Sequence, residues 1–380
     1  MRVFVLALLL TVPPPLAAQG KPPTITELES LARADSNDPA AHYNLAAALT
    51  KARRHADAER SLRTAVMIDP QYAPALMLLA QVNEILHPGP IAFVTFGRGR
   101  IMFMRRDPNA NENTFLRRRA FLIDPLVEIG SPNRDWLPSA WRGTLGLGLH
   151  HYDRQQWKEA IAAFQTVIDK TTRANDSTKV PPAALWFRAR CALKTGDYDG
   201  AIRHLQWLLM LRMQDSTAER VWNPFAGEEL RYILAYVHQQ ARRWDEAIQR
   251  YQAVIEENLA LDAAHTHMAE IYEAQDRWPQ AVEERLRAIH VNPEGASVVF
   301  NLGSTLTGAG RYAEAEPVLE RYAAGYPREA RTFYFLGLTR MGLGKAVPAR
   351  EAFTQFLALA PSRLESQIAD AKQRLAALGP

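Results

Sequence analysis

Residues 296–327 read ASVVFNLGSTLTGAGRYAEAEPVLERYAAGYP, and residues 330–361 read ARTFYFLGLTRMGLGKAVPAREAFTQFLALAP. Shifted by 34, the two stretches align without a gap. In the first, Val299, Leu302, Gly303 and Leu306 fall on one face of a helix. Gly308-Ala309-Gly310 breaks that pattern. Tyr312, Ala315, Val318 and Leu319 then line a second helix, and Pro327 cannot continue it. The spacing predicts a helix–turn–helix pair that recurs along the chain.

The period extends in both directions. Ala247, Ala281, Ala315 and Ala349 stand 34 apart, as do Pro293, Pro327 and Pro361. Ala235, Ala269, Gly303 and Gly337 make a third ladder. Small residues at such positions let two helix axes approach closely. Earlier, HYNLAAAL (His42 to Leu49) leads to ADAERSLRTAVMIDP (Ala56 to Pro70), and LKTGDYDGAIRHL spans Leu193 to Leu205.

These features resemble the tetratricopeptide repeat family. The Asn-Leu-small run, the Gly-Asp-Tyr turn followed by Ala, and the closing Asp-Pro carry the resemblance. It implies an all-α, right-handed solenoid of about eight helix–turn–helix repeats. The repeats are expected to start near Pro39, Ala73, Trp141, Pro182, Glu228, Asp262, Ala296 and Ala330. Three fall within 23–170 and the rest within 182–361. The amphipathic segment 362–378, SRLESQIADAKQRLAAL, is expected to cap the last exposed core face. Stretches 125–140, 170–181 and 212–227 are off-period, so the array is expected to bend there.

The second repeat carries an insertion at 87–111, HPGPIAFVTFGRGRIMFMRRDPNAN. Ile91–Phe96 and Ile101–Met104 are β-prone runs around Gly97-Arg98-Gly99, which reads as a β-hairpin. Arg98 to Arg119 holds seven arginines against Asp107 and Glu112, so this stretch outweighs the net charge of +4 of the whole chain. Arg98, Arg100, Phe103, Arg105, Arg106, Arg117 and Arg118 are candidate contacts for an anionic lipid, a polysaccharide or an acidic partner. The alternative is a solvated helix face beside a hairpin that covers a core edge.

The chain has 380 residues, 47% hydrophobic and 23% charged, which excludes wholesale disorder. Residues 1–18 have the layout of a secretory signal peptide: Arg2, an apolar run from Val3 to Val12, then Ala17-Ala18. An exported, soluble, periplasmic or extracellular protein is expected, and export removes it from nucleic acid. Cys191 is the single cysteine, so no intrachain disulfide forms.

The motifs of catalysis are missing. No H-E-x-x-H, C-x-x-C-H or G-x-S-x-G occurs. On a helix His265 and His267 would point about 200° apart, a poor geometry for sharing a metal. No enzyme activity, metal or cofactor is expected.

The resemblance implies that the first helix of each repeat lines a concave binding face. It places Tyr43, Asn44, Tyr152, Trp186, Arg190, Tyr232, Tyr236, Phe300, Asn301 and Tyr334 there, along with Gln239, Glu270 and Arg331. Aromatics with a few polar groups suit a protein or peptide partner. The alternative is that several of these side chains fill the core between helices. The sequence gives no oligomeric state.

Overall fold

The computed structural model describes residues 23–87, 91–96, 100–105, 110–127, 142–173, 180–214, 227–258 and 261–379. The expected signal segment 1–18 lies outside the described residues, as do most of the off-period joints. Helices dominate. They are α1 (Ile25–Ala34), α2 (Pro39–Lys51), α3 (His55–Ile68), α4 (Ala73–Leu86), α5 (Ala110–Ile123), α6 (Arg142–Asp153) and α7 (Trp157–Arg173). They continue with α8 (Pro182–Lys194), α9 (Tyr198–Gln214), α10 (Gly227–Gln240), α11 (Trp244–Glu257), α12 (Asp262–Ala274) and α13 (Trp278–Val291). The last are α14 (Ala296–Gly308), α15 (Tyr312–Gly325), α16 (Ala330–Gly342), α17 (Ala346–Leu359) and α18 (Glu365–Ala377). Between α4 and α5, β1 (Ile91–Phe96) pairs antiparallel with β2 (Arg100–Arg105), Ile91 opposite Arg105 and Phe96 opposite Arg100.

One backbone device turns the chain between the two helices of a pair. Arg242, Asp276, Gly310 and Gly344 stand 34 apart and all have positive φ, from 56° to 74°. Arg53, Gln155 and Gly196 take the same conformation after α2, α6 and α8. Each sits where a helix is closed by an N–H that reaches back five residues to a carbonyl. Arg311 N–H donates to the Leu306 carbonyl at 2.9 Å, and Lys345 N–H to the Arg340 carbonyl at 2.8 Å. The same bond runs from Arg54 to Leu49, Gln156 to His151, Asp197 to Ala192, Arg243 to His238 and Arg277 to Tyr272. That pattern closes a helix through a left-handed residue, where glycine meets no Cβ penalty. α4 ends differently: His87 has φ −120°, and the 87–111 insertion begins there.

The small-residue ladder has a packing cause. A Cβ on Gly303 would lie 2.6 Å from Leu319, and one on Gly337 would lie 2.6 Å from the Phe353 ring. Each glycine is where a first helix meets the second helix of its own pair. A side chain there would force the two apart.

The chain divides into two compact units. The central unit is Ile129–Ile271. Its core holds Phe164, Trp186, Phe187, Tyr232 and Tyr251, all nearly inaccessible to water. The terminal unit joins Met1–Glu128 with Tyr272–Pro380. Within it, Phe300, Leu319, Tyr322, Phe335, Phe353 and Phe356 form a continuous core, and Ala371, Ile368 and Leu375 of α18 pack against it.

Candidate protein-binding surface

In the central unit, α8 and α10 supply most of the expected groove residues. Six of the expected positions prove to be buried. Trp186 is 1% exposed, Tyr232 2%, Arg190 4% and Gln239 6%, and Tyr152 and Phe300 are also buried. α8 explains this best. Ala183 to Phe187 form an unbroken buried run, so the helix is enclosed on more than one face. Arg190 donates through Nε to the Tyr152 hydroxyl at 2.9 Å, and its guanidinium lies 5.5 Å from the Trp186 ring. Tyr152 in turn packs edge-on against Phe187 at 4.9 Å and Trp157 at 5.4 Å. Phe300, in the terminal unit, packs against Tyr322 and Phe335, with Arg331 over its face at 5.1 Å. These residues hold repeats together and do not present themselves to a partner.

A second group in the central unit does come together. The Tyr251 hydroxyl donates to Gln239 Oε1 at 2.7 Å, and Gln239 Nε2 donates to Glu270 Oε2 at 3.0 Å. His267 Nδ1 lies 2.9 Å from the same carboxylate oxygen. The His267 ring stacks on Tyr251 at 5.6 Å and meets Tyr236 edge-on at 5.2 Å. Burial pushes the Tyr251 hydroxyl well above the usual tyrosine range, so it stays a donor. Tyr236 is half-buried and the Glu270 side chain is 40% exposed. The cluster therefore offers a tyrosine edge and a carboxylate at its rim, both held by buried partners. Sequence reading placed Tyr236, Gln239 and Glu270 on this face. It missed Tyr251, which comes from a second helix, and considered His267 only beside His265, as a poor metal-sharing pair.

In the terminal unit, Tyr43, Asn44 and Asn301 are half-buried, with Tyr43 edge-on to Tyr72 at 5.9 Å. Tyr334 is engaged by α18: its hydroxyl donates to Asp370 Oδ2 at 2.8 Å, and its ring packs on Phe356. Burial and that carboxylate raise the Tyr334 hydroxyl above its ordinary range. In the insertion, Arg100, Phe103 and Arg105 lie on β2, while Arg98 and Arg106 lie outside the described residues. Arg117 is paired with Glu84 at 2.5 Å, and Arg118 is exposed.

Cys191 is a buried free thiol. Among the described residues, no group of three or more His, Cys, Asp or Glu side chains is placed to hold a metal ion. None of the described helices is long and apolar enough to cross a membrane.

His238, on α10, is 5% exposed, and neither ring nitrogen has a hydrogen-bond partner among the described residues. Burial first, and then the charges of Arg250 and Arg243, hold its pKa below the ordinary histidine value. Burial does the same to His204. The folded state keeps both rings neutral where the unfolded chain, titrating near ~6.5, takes up protons. Stability is thus complete above that pH and falls as pH drops through it, until the folded rings titrate too. Urea midpoints measured from pH 7.5 to 5.5 should decline. His238→Leu should flatten that decline, and an unaltered slope would show that His238 is not its source.

Comparison with known sequences agrees with the turn geometry and the ladders. Tetratricopeptide repeat profiles match residues 25–73, 133–177, 145–209, 266–330 and 300–363, and a second such profile matches 229–258. No curated protein matches the chain. Among solved structures, the C-terminal part of a TPR repeat-containing protein from Cytophaga hutchinsonii is similar at 14% identity. That match covers 62% of this chain and 87% of the other, with a TM-score of 0.47. The pilF protein of Pseudomonas aeruginosa is similar at 16% identity over 63% of this chain and 99% of that one, with a TM-score of 0.42. MamA from Desulfovibrio magneticus RS-1 is similar at 14% identity over 47% and 94%, with a TM-score of 0.40. The family profiles together match more than half of the sequence, and the chain belongs to the tetratricopeptide repeat family.

Proposed function

We propose that this chain is an exported, non-catalytic scaffold of about eight repeats that binds a protein or peptide partner through its first helices. The segment 362–378 closes the last repeat, and 1–18 directs export. The observation that carries this reading is the platform around Tyr236 and Glu270. Its rim is partly exposed, while Gln239, Tyr251 and His267 fix it from below. A rigid aromatic edge beside a carboxylate gives a peptide contact area at small entropic cost.

The test is retention of envelope proteins by the mature chain and by Tyr236→Ala and Glu270→Ala variants. The variants should keep their helicity and lose the retained partner. A partner retained equally by wild type and both variants would remove the platform from the interface.

A second reading assigns residues 90–119 to an anionic lipid or polysaccharide surface. It is supported by the exposed Arg118 and by Arg100 and Arg105 at the two ends of β2. It requires salt-sensitive binding to anionic vesicles that is lost when residues 90–110 are deleted.

A further inference from the structure

In a repeat array each unit ordinarily touches only its sequence neighbours. The terminal unit departs from that rule. Residues at and just before the first repeat meet residues at and flanking the last across 262 to 327 positions of sequence.

Five contacts make the junction. Arg331 Nη2 donates to Asp69 Oδ1 at 3.0 Å. Arg328 Nη2 donates to the Ser36 carbonyl at 3.1 Å and to Asn37 Oδ1 at 2.8 Å. Arg363 Nε donates to Asp38 Oδ1 at 2.8 Å. Ser362 donates to Asp35 Oδ2 through both its amide and its hydroxyl, each at 2.9 Å.

Two of the acids also accept bonds from their own segment. Asp38 caps α2 by accepting from the Ala40 and Ala41 amides, and Asp69 accepts from the Gln71 amide. One edge of the chain thus presents fixed carboxylates and carbonyls. The other presents three arginines.

The contacts differ in depth. Arg331 is 12% exposed at its side chain, Asp69 7% and Glu329 4%. Arg363 and Asp38 are more open to water, and Ser362 is exposed. Exposed pairs weaken as the screening length falls to about 3 Å at molar salt, whereas buried ones respond much less.

We propose that this junction is a latch: an electrostatic clasp joining the first and last repeats, which opens and recloses while the helices on both sides stay folded. The buried Arg331–Asp69 contact sets the register of closure. The rim contacts of Arg328, Ser362 and Arg363 set how readily it opens. Opening exposes three arginines on the last repeat and the carboxylates of Asp35, Asp38 and Asp69 on the first.

The test uses the full chain with spin labels at Ser30→Cys on α1 and Ala369→Cys on α18; Cys191 is buried and stays unlabelled. Electron–electron distance measurements read the separation of the two ends, and circular dichroism reads helicity. A single short distance is expected at 50 mM salt. At 1 M salt, and in an Arg328→Glu/Arg363→Glu variant at 50 mM salt, a second, longer distance should appear with helicity retained. Dilution back to low salt should restore the short distance in the unsubstituted chain. Unchanged distances under both conditions would overturn the proposal. So would a loss of helicity accompanying every loss of the short distance, because the junction would then be part of one folding unit and no latch.

Discussion

Trp186→Ala should cost the central unit about 3–5 kcal/mol, the usual range for emptying a buried aromatic site. The indole is 1% exposed and lies under the Arg190 guanidinium. Its neighbour Phe187 stacks on Phe164 at 5.9 Å and touches Tyr152 at 4.9 Å. Truncation leaves a cavity in a closely packed aromatic core. It also removes the face over which Arg190, itself 4% exposed, is held. Repeat arrays unfold by local units, so the loss should appear first as amide exchange in α8 and the helices beside it, α7 and α9. A urea titration followed by far-ultraviolet dichroism gives the magnitude. Tyr236→Ala, at a half-buried rim position, should shift the midpoint far less. A Trp186→Ala midpoint equal to that of the unsubstituted chain would mean that the indole is on the surface after all. The contrast matters for binding experiments, because loss of a partner from Trp186→Ala would report unfolding and loss from Tyr236→Ala would report contact.

The contrast also marks where sequence reading reached its limit. The 34-residue ladders carried physical information that the structure repeats: Gly303 and Gly337 are small because Leu319 and Phe353 press on them. The turns were only half legible. Gly310 and Gly344 announced a left-handed residue, but Arg242, Asp276, Arg53 and Gln155 adopt the same conformation with no glycine to signal it. Groove and core were harder to separate, because both are written on the first helix. α8 shows no clean apolar stripe, being buried nearly throughout, so spacing could not say which aromatic faces out. Tyr334 has a neighbour that the period does not announce: α18 lies against it, and Asp370 takes its hydroxyl. The junction of first and last repeats left no periodic trace at all. Asp69 and Arg331 obey the repeat pattern locally, and nothing in a period of 34 says that they meet.

That meeting carries a large electrostatic consequence. Arg331 Nε donates to Glu329 Oε1 at 2.7 Å while Nη2 reaches Asp69, and the guanidinium lies over Phe300. Burial by itself would lower the arginine pKa; Asp69 and Glu329 more than reverse that and hold the proton firmly. Arg331→Met keeps the apolar stem and removes the charge. Two carboxylates are then left buried with no cation between them, a situation that costs about 3–5 kcal/mol. The carboxylates' other bonds do not remove that cost, because the Gln71 amide and the Thr332 hydroxyl satisfy lone pairs without neutralising charge. A rescue separates this cause from lost packing. Adding Asp69→Asn and Glu329→Gln to Arg331→Met should recover most of the stability, since a buried ion network replaced by neutral groups is often close to neutral overall. A single variant as stable as the unsubstituted chain, or one that the neutral triple does not rescue, would show that the network stores no electrostatic energy at this junction.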